Sequence, residues 1–355
     1  MKLSGKPIIF DYFPDLHKHV DWLDLKLKMA PVQKIAALGH DNLWIKRNDL
    51  ISDVYGGNKV GRLEFILADV IKKKKTHVVT LGGIGSNHCL AVAIFSRQLG
   101  IRCTLSLFEQ PLTNFVKENL LLYHYFGAEI RFFPGILRSA FDFYYAQKRK
   151  HPDAYFLESG GASVLGTLGA VNSALELKQQ VEAGEIPEPD YVFYPTASNC
   201  GMAGLSLGFL LAEMKTTVIG VRTGRSRLGP FALNTPGTVL KKIQQIYQFL
   251  KSNSKMVKTL DIPTPVLINE YCGRGYGFPS PEGEKAIHLF KKLNIRLEPV
   301  YTAKTCAALL DNLKITPYSS KTLLYWHTYN PIDYSAIAST IDYKELPTDL
   351  HYCFQ

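Results

Sequence analysis

The sequence predicts an α/β protein built around parallel sheets. Two observations predict this fold: short segments rich in β-branched residues alternate with segments of helical periodicity, and the alternation is repeated along most of the chain. Strands that alternate with helices form βαβ units, in which the strands lie parallel. With 355 residues, 46% of them hydrophobic, the chain is long enough to form two lobes.

The predicted elements follow one another in βα order. Strands are predicted at His77–Leu81, Ile101–Leu107, Glu129–Phe133, Tyr191–Tyr194, Thr217–Val221 and Thr322–His327, and helices near residues 87–99, 113–126, 138–150, 165–182, 202–214, 281–293 and 302–313. No repeat of fixed period and no low-complexity linker divides this series. We therefore expect one lobe to be inserted in the other: a smaller α/β domain of residues 62–172, and a larger domain of residues 1–61 and 173–355.

Charge, apolar segments and cysteine spacing indicate which partners and locations to expect. The net charge of +10 is compatible with a nucleic acid, an acidic partner or simply a basic surface. The one dense basic run, Lys72–Lys75, lies where a helix is predicted to end, which cations stabilise, and no nucleic-acid motif accompanies it. No apolar segment is long enough to span a bilayer, and the six cysteines show no zinc-ligand spacing. We expect a cytoplasmic protein with free thiols and no metal, membrane or nucleic-acid partner.

The first candidate for chemistry is the segment Tyr55-Gly-Gly-Asn-Lys59. It places a lysine after a glycine pair and at the start of a predicted helix. Glycines let the backbone approach a ligand closely, and a helix N-terminus together with desolvation lowers the pKa of a lysine enough for it to form a Schiff base. Taken alone the pattern is weak, because most lysines at helix starts are exposed to solvent.

The second candidate is the turn Thr80-Leu-Gly-Gly-Ile-Gly-Ser-Asn-His88, between a predicted strand and a predicted helix. Such a glycine-rich turn cradles an anion or a ring. A dinucleotide site would require a third glycine in G-x-G-x-x-G, which is missing here. The alternative is that Ser86 or Asn87 only caps the helix.

Together these segments resemble the 1-aminocyclopropane-1-carboxylate (ACC) deaminase and D-cysteine desulfhydrase family. That family has the tryptophan synthase β-like fold and depends on pyridoxal 5′-phosphate (PLP). The resemblance extends over most of the chain, and its further matching stretches are Ser159–Gly169, Gly273–Pro279, Glu298–Thr302 and Trp326–Thr328. It implies a two-lobed fold type II PLP enzyme whose parallel-rich sheets are flanked by helices, with the smaller lobe inserted in the larger, and a homodimer.

The resemblance also implies a role for each matching residue. Lys59 would hold the cofactor and shuttle the Cα proton, Asn87 would bind the cofactor's 3′ oxygen, and Ser86 would meet the substrate carboxylate or assist proton movement. Thr328 would face the pyridine nitrogen. The implied catalytic residues are Lys59, Ser86, Tyr276 and Tyr301; the cofactor-binding residues are Asn58, Lys59, Asn87, Ser198, Asn199, Cys200, Gly201 and Thr328; the substrate-binding residues are Ser86, Asn87, His88, Tyr276 and Tyr301. The alternative for Tyr276 and Tyr301 is an ordinary half-buried tyrosine.

The sequence departs from the family where the cofactor phosphate is bound. The family has a Ser-Gly-Gly-Thr loop there, and this chain has Ser198-Asn-Cys-Gly201. Asparagine is the non-glycine residue that best tolerates a positive φ, so the loop is still expected to present its amides to an anion, but less tightly. Replacing Asn199 and Cys200 by Gly and Gly201 by Thr is expected to restore tighter binding. Other departures are Gly61 for an arginine, Gly85 for a glutamine and Tyr329-Asn330 for a glycine pair.

The expected function is that of a PLP-dependent lyase or deaminase acting on a small amino acid. ACC deaminases tend to carry glutamate after the tyrosine of the Glu298–Thr302 motif, whereas this chain has Thr302 as in the desulfhydrase-like members. The expected reaction is therefore β-elimination from D-cysteine or another β-substituted D-alanine. The alternatives are ring opening of ACC, and a PLP-binding regulatory protein that has lost turnover.

Overall fold

The computed structural model describes residues 6–355. The strands in this part of the chain are β1 Val32–Lys34, β2 Leu43–Arg47, β3 His77–Gly83, β4 Arg102–Phe108, β5 Glu129–Phe133, β6 Tyr155–Leu157, β7 Tyr191–Thr196, β8 Thr217–Arg222, β9 Arg227–Leu228, β10 Phe231–Ala232, β11 Val266–Ile268 and β12 Leu323–His327. The helices are α1 Ile9–Tyr12, α2 Val60–Lys72, α3 Asn87–Gln98, α4 Asn114–Tyr125, α5 Ile136–Phe141, α6 Gln147–Lys150, α7 Val164–Glu182, α8 Cys200–Leu211, α9 Pro236–Asn253, α10 Pro281–Lys291, α11 Thr302–Asn312 and α12 Ser335–Ala338. The predicted α/β class with parallel-rich sheets is confirmed.

The chain forms two compact units, Met1–Phe65 with Val164–Pro331 and Ile66–Ser163 with Ile332–Gln355. This grouping differs from the expected division mainly in the C-terminal segment, which the sequence assigned to the larger lobe. It joins the smaller unit because α12 packs against α4, where the rings of Phe126 and Tyr334 meet edge to face at 6.1 Å. That the two units act as separate domains stays a prediction.

The larger unit contains a six-stranded sheet in the order β1-β2-β12-β7-β8-β11. All neighbouring pairs are parallel except β1 with β2. Strand β12 is central and fully buried, and Leu323 pairs with both Leu43 and Tyr191. The carboxyl ends of β2, β7 and β12 therefore lie at one edge of the sheet, which is where ligands bind in parallel α/β folds.

Helices α7 and α8 pack closely on each other within this unit. A Cβ added to Gly204 would lie 2.5 Å from the Cβ of Ala170, and one added to Gly208 would lie 2.5 Å from that of Ala174. Only glycine permits this approach, since ordinary carbon contacts are near 3.5–4 Å. The close packing sets the position of the first turn of α8.

The smaller unit contains a four-stranded parallel sheet in the order β5-β4-β3-β6. Every residue of β3 is buried, as is usual for a central parallel strand with helices on both faces. Helix α3 follows β3 directly, with Ser86 as its N-cap. Among the described residues, no helix is long and apolar enough to cross a membrane.

Candidate active site

The glycine pair before Lys59 packs against the backbone of the segment that follows β12. Gly57 has φ +83°, and a Cβ there would lie 2.4 Å from the carbonyl oxygen of Thr328. The amide of Gly56 donates to Oδ1 of Asn330 at 2.8 Å, and the amide of Asn58 donates to the carbonyl of Thr328 at 3.3 Å. The glycines are therefore required for two reasons, a left-handed conformation and a close approach of two backbones.

The amine of Lys59 lies in a desolvated environment. The side chain is half-buried, and Nζ donates to Oδ1 of Asn58 at 2.8 Å and lies 5.9 Å from the ring centroid of Tyr301. Desolvation, reinforced by the positive charge of Arg62, lowers the pKa of Lys59 to about 7, and the negative charge of Glu298 opposes this. A lysine of this kind is substantially neutral at physiological pH, so it can act as a nucleophile or a base.

The two candidate substrate-side tyrosines meet within the larger unit. The rings of Tyr276 and Tyr301 lie 5.9 Å apart with an interplanar angle of 71°. The carboxylate of Glu298 accepts hydrogen bonds from the amides of Val300, Tyr301 and Thr302 at 2.7–2.8 Å. Burial raises the pKa of Glu298, but these donors and the positive end of α11 favour its charged form. Glu298 therefore fixes the backbone of Tyr301, a role that residue type alone did not reveal.

The turn between β7 and α8 places the positive end of a helix at the strand edge. Asn199 has φ +65°, the conformation that its residue type tolerates. Its Nδ2 donates to the carbonyl of Leu233 at 2.8 Å and to Oγ1 of Thr238 at 3.1 Å. Intrahelical bonding starts with the amide of Ala203, which donates to the carbonyl of Asn199, so the preceding amides of α8 have no intrahelical acceptor. These amides suit an anion.

Sequence reasoning missed a residue on β7 that joins the lysine segment to this helix. The hydroxyl of Tyr194 accepts hydrogen bonds from Nδ2 of Asn58 and, at 3.3 Å, from Nη2 of Arg62. It also lies against Gly201: a Cβ on that glycine would be 1.9 Å from the hydroxyl. Gly201→Thr, expected from the sequence to restore phosphate binding, therefore cannot be accommodated while Tyr194 keeps its position.

The smaller unit carries the remaining predicted residues at the start of α3. The hydroxyl of Ser86 accepts a hydrogen bond from the amide of Cys89 at 3.3 Å, so Ser86 caps helix α3. A serine hydroxyl that accepts one hydrogen bond can still donate its own proton to another group. Nε2 of the buried His88 lies 3.1 Å from Oγ1 of Thr80. Because that hydroxyl donates to the carbonyl of Leu157 at 2.7 Å, His88 is the donor in this contact. Asn87 is half-buried. Roles for these residues toward a ligand stay predictions.

The larger unit thus combines a lysine amine whose pKa is lowered to about 7 with a helix N-terminus suited to an anion. This combination is typical of an α/β enzyme that binds a phosphorylated aldehyde. The chain belongs to the family of pyridoxal-phosphate dependent enzymes, whose model matches residues 25–328. The residues present fit PLP, because the amine of Lys59 suits its aldehyde, while the amides of α8 suit its phosphate, as does the buried hydroxyl of Thr196, which has no partner within residues 6–355.

Two kinds of relative match over nearly the whole chain. A protein of Thermotoga maritima called putative 1-aminocyclopropane-1-carboxylate deaminase is 31% identical over 86% of this chain and 95% of its own length. A D-cysteine desulfhydrase of Klebsiella pneumoniae is 29% identical over 92% of this chain and 93% of its own length. The chain is therefore similar to enzymes of both names.

Solved structures show the same fold. The structure of an ACC deaminase homologue matches with a TM-score of 0.75 and 26% identity, covering 94% of this chain and 99% of the other. A pyridoxal 5′-phosphate-dependent aspartate racemase matches with a TM-score of 0.63 and 15% identity, covering 92% and 95%. The predicted resemblance, the fold type II architecture and the cofactor are confirmed.

The lowered pKa of Lys59 predicts how cofactor capture depends on pH. In cofactor-free protein, the rate of PLP capture should rise about tenfold per pH unit below pH 7 and then level off, because only the neutral amine attacks an aldehyde. Stopped-flow absorbance measures this rate, with the reaction of PLP with free Nα-acetyl-lysine as the control for ionisation of the aldehyde. A rate that keeps rising towards about pH 10, as for an ordinary lysine, would contradict the assignment.

Proposed function

We propose that the protein is a PLP-dependent lyase that eliminates the β-substituent of D-cysteine or of another β-substituted D-alanine. Sulfide, pyruvate and ammonia are the products from D-cysteine. The observation that carries the proposal is the amine of Lys59, with its pKa lowered to about 7, which lies 5.9 Å from the ring of Tyr301, beside a residue 302 that is not a carboxylate. The desulfhydrase name of the Klebsiella relatives supports the same reaction.

The residues of this chain divide the work of proton transfer and positioning. The chemistry that PLP would supply when bound is an electron sink, which would make the Cα proton of an attached amino acid acidic. The amine of Lys59 takes that proton, and Oδ1 of Asn58 orients the amine. Tyr276 and Tyr301 flank the substrate. The hydroxyl of Thr328 would face the pyridine nitrogen of the cofactor and, unlike an aspartate, would leave that nitrogen largely unprotonated, which would favour prompt loss of the β-substituent.

The remaining site residues bind rather than react. Ser86 is assigned to the substrate carboxylate or to proton movement, Asn87 to the cofactor's 3′ oxygen, and His88 to the substrate side. Segment Ser198–Gly201 is assigned to the cofactor phosphate. We also infer a homodimer, which the family resemblance supports, and a location in the cytoplasm. Light scattering of the purified protein tests the dimer.

The environment of Thr302 favours elimination over ring opening. Its hydroxyl accepts from the amide of Glu298 at 2.8 Å and lies 3.1 Å from the carbonyl oxygen of the same residue. The side chain is fully buried. A buried hydroxyl engaged with the backbone supplies neither a charge nor an acid–base group to a substrate ring, since a serine or threonine hydroxyl does not ionise near neutral pH.

D-cysteine is therefore expected to be a better substrate than ACC. We expect kcat/KM to be higher for D-cysteine by roughly tenfold or more, a difference of about 1.4 kcal/mol in transition-state binding. The measurement is pyruvate and ammonia release from D-cysteine, β-chloro-D-alanine and the L-enantiomers, set against 2-oxobutyrate and ammonia release from ACC. A preference for ACC would support the deaminase alternative suggested by the name of the Thermotoga relative. No release from any compound would favour a protein without turnover.

A further inference from the structure

The hydroxyl of Tyr194 occupies the space that a side chain at position 201 would take. A Cβ built on Gly201 lies 1.9 Å from this hydroxyl and 2.4 Å from Cζ of the same ring. Tyr194 is 3% exposed, so the hydroxyl is held inside the protein. A tyrosine on β7 and a glycine in the first turn of α8 are therefore complementary, and neither can change size alone.

The hydrogen bonds of this hydroxyl leave its proton unassigned. The oxygen accepts from two donors, Nδ2 of Asn58 and Nη2 of Arg62. A phenol has one proton to donate besides its acceptor sites, and a buried polar group normally uses it. Among the described residues, no acceptor for the proton of Tyr194 is found. The adjacent Arg62 guanidinium strengthens the phenol as a donor, because hydrogen bonds in a chain polarise one another.

The place of the hydroxyl determines what such a proton can reach. Gly201 is the second residue of α8, within the turn whose amides lack intrahelical acceptors. Thr196, at the end of β7, is 2% exposed, and its hydroxyl also has no partner among the described residues. Two buried hydroxyls and a row of amides at the positive end of one helix form a set of donors, which suits a phosphate.

We propose that the hydroxyl of Tyr194 donates a hydrogen bond to the phosphate of the cofactor and takes the place of the side-chain hydroxyl that position 201 lacks. The proposal rests on the cofactor and not on the choice of substrate. It accounts for the presence of a tyrosine hydroxyl in the space where the family resemblance implies a threonine side chain at position 201. It also makes Tyr194 a link between the phosphate and Asn58, which orients the amine of Lys59.

The test compares two aldehydes that differ only in the phosphate. Cofactor-free wild-type protein and Tyr194→Phe are titrated with PLP and with pyridoxal, and each Kd is read from the absorbance change. Phe keeps the ring against Gly201 and removes only the hydroxyl. We expect the Kd of PLP to rise about tenfold more than the Kd of pyridoxal, because only PLP loses a hydrogen bond to a charged group. A rise that both aldehydes share reports the link through Asn58 to Lys59. Equal rises for both aldehydes would mean that Tyr194 acts only through Asn58 and Lys59 and would overturn the proposal, as would no change in either.

Tyr247→Phe is the matched control. The hydroxyl of Tyr247 is buried in the same unit, donates to the carbonyl of Lys258 at 3.2 Å and accepts from the amide of Leu260 at 3.2 Å. The variant therefore loses a comparable set of hydrogen bonds, all of them to residues 251–260. Both aldehydes should bind this variant as they bind the wild type, and a PLP-specific loss here would overturn the proposal.

A pair of double variants tests the exchange of hydroxyls directly. Tyr194→Val removes the ring and makes room at position 201, so Gly201→Thr and Gly201→Ala can each be added to it. The Thr double variant should have a PLP-to-pyridoxal affinity ratio close to that of the wild type, and the Ala double variant a ratio about tenfold lower. Equal ratios would refute the proposal. Because both readouts are binding constants, they stay decisive if no amino acid is turned over and the proposed lyase function fails.

Discussion

Lys59→Ala is expected to abolish covalent attachment of PLP and with it the visible absorbance of the purified protein. No other described lysine combines a pKa near 7 with an amine bound only to a side-chain amide. The variant also loses the base that takes the Cα proton, and such a loss lowers kcat by about 10²–10⁴-fold. The measurements are the absorbance spectrum of the variant and, in the wild type, peptide mass analysis after borohydride reduction, which should place the pyridoxyl label on Lys59.

Lys46→Ala is the control for this experiment. Lys46 is fully buried on β2, and burial lowers its pKa to about 8, so a lowered pKa alone would make it a rival. Its amine, however, donates to the carbonyl of Ala30 at 2.8 Å and to the side chain of Gln180. We expect this variant to keep the visible absorbance. A pyridoxyl label on Lys46, or on any lysine other than Lys59, would refute the assignment of Lys59 as the lysine that binds PLP.

The fold could be predicted from the sequence because its signals are local. Strand His77–Leu81 and the helix near 87–99 were predicted from short apolar runs and turn residues, and the structure has them as β3 and α3. The C-terminal segment gave no such signal. Residues 332–355 form only short helices, and their grouping with the smaller unit depends on contacts with α4.

The candidate site could be predicted only where glycines mark it. Gly57 precedes Lys59 and needs a positive φ, so the pattern carried information about the backbone. Tyr194 gave no comparable signal, because its bond to Asn58 joins residues 136 positions apart. From the sequence alone, the altered loop indicates the loss of a phosphate-binding hydroxyl, whereas in the structure the hydroxyl of Tyr194 lies where a side chain at position 201 would lie. Whether the cofactor phosphate is bound less tightly stays a prediction.

Glu298 and Lys304 were missed for a different reason, their burial. Glu298 bonds to the backbone of its own turn, and Lys304 to carbonyls about thirty residues away. Both are buried charged residues, which the sequence cannot distinguish from exposed ones. Buried charges are normally paired or hydrogen-bonded, so each marks a part of the structure that is held in one arrangement.

Lys304→Met is expected to release the loop that carries Tyr276. Residues Gly273, Gly275 and Gly277 all have positive φ, so the backbone of this loop has much conformational freedom to lose. The amine of Lys304 donates to the carbonyls of Cys272 at 2.8 Å and Gly275 at 3.0 Å, which holds the loop on α11. We expect the free energy of unfolding to fall by about 3 kcal/mol, since each bond from a charged group contributes about 1.5–3 kcal/mol. We also expect KM for the amino acid to rise, with the PLP label on Lys59 retained.

Lys46→Met separates loss of a buried amine from release of the loop. Both lysines bind a backbone carbonyl at 2.8 Å and both are fully buried, but the carbonyl bound by Lys46 belongs to Ala30, outside the loop. The two variants should therefore lose similar stability in urea titrations.

Trypsin cleavage after Arg274, which is exposed in the loop, reports on loop release. The cleavage is followed by mass analysis of the peptide that starts at Gly275. Cleavage should be faster in Lys304→Met than in the wild type and unchanged in Lys46→Met. If Lys304→Met does not fold, Lys304→Gln replaces it, because a shorter neutral amide cannot reach both carbonyls. Equal cleavage in the position 304 and position 46 variants would show that Lys304 stabilises the fold without positioning Tyr276.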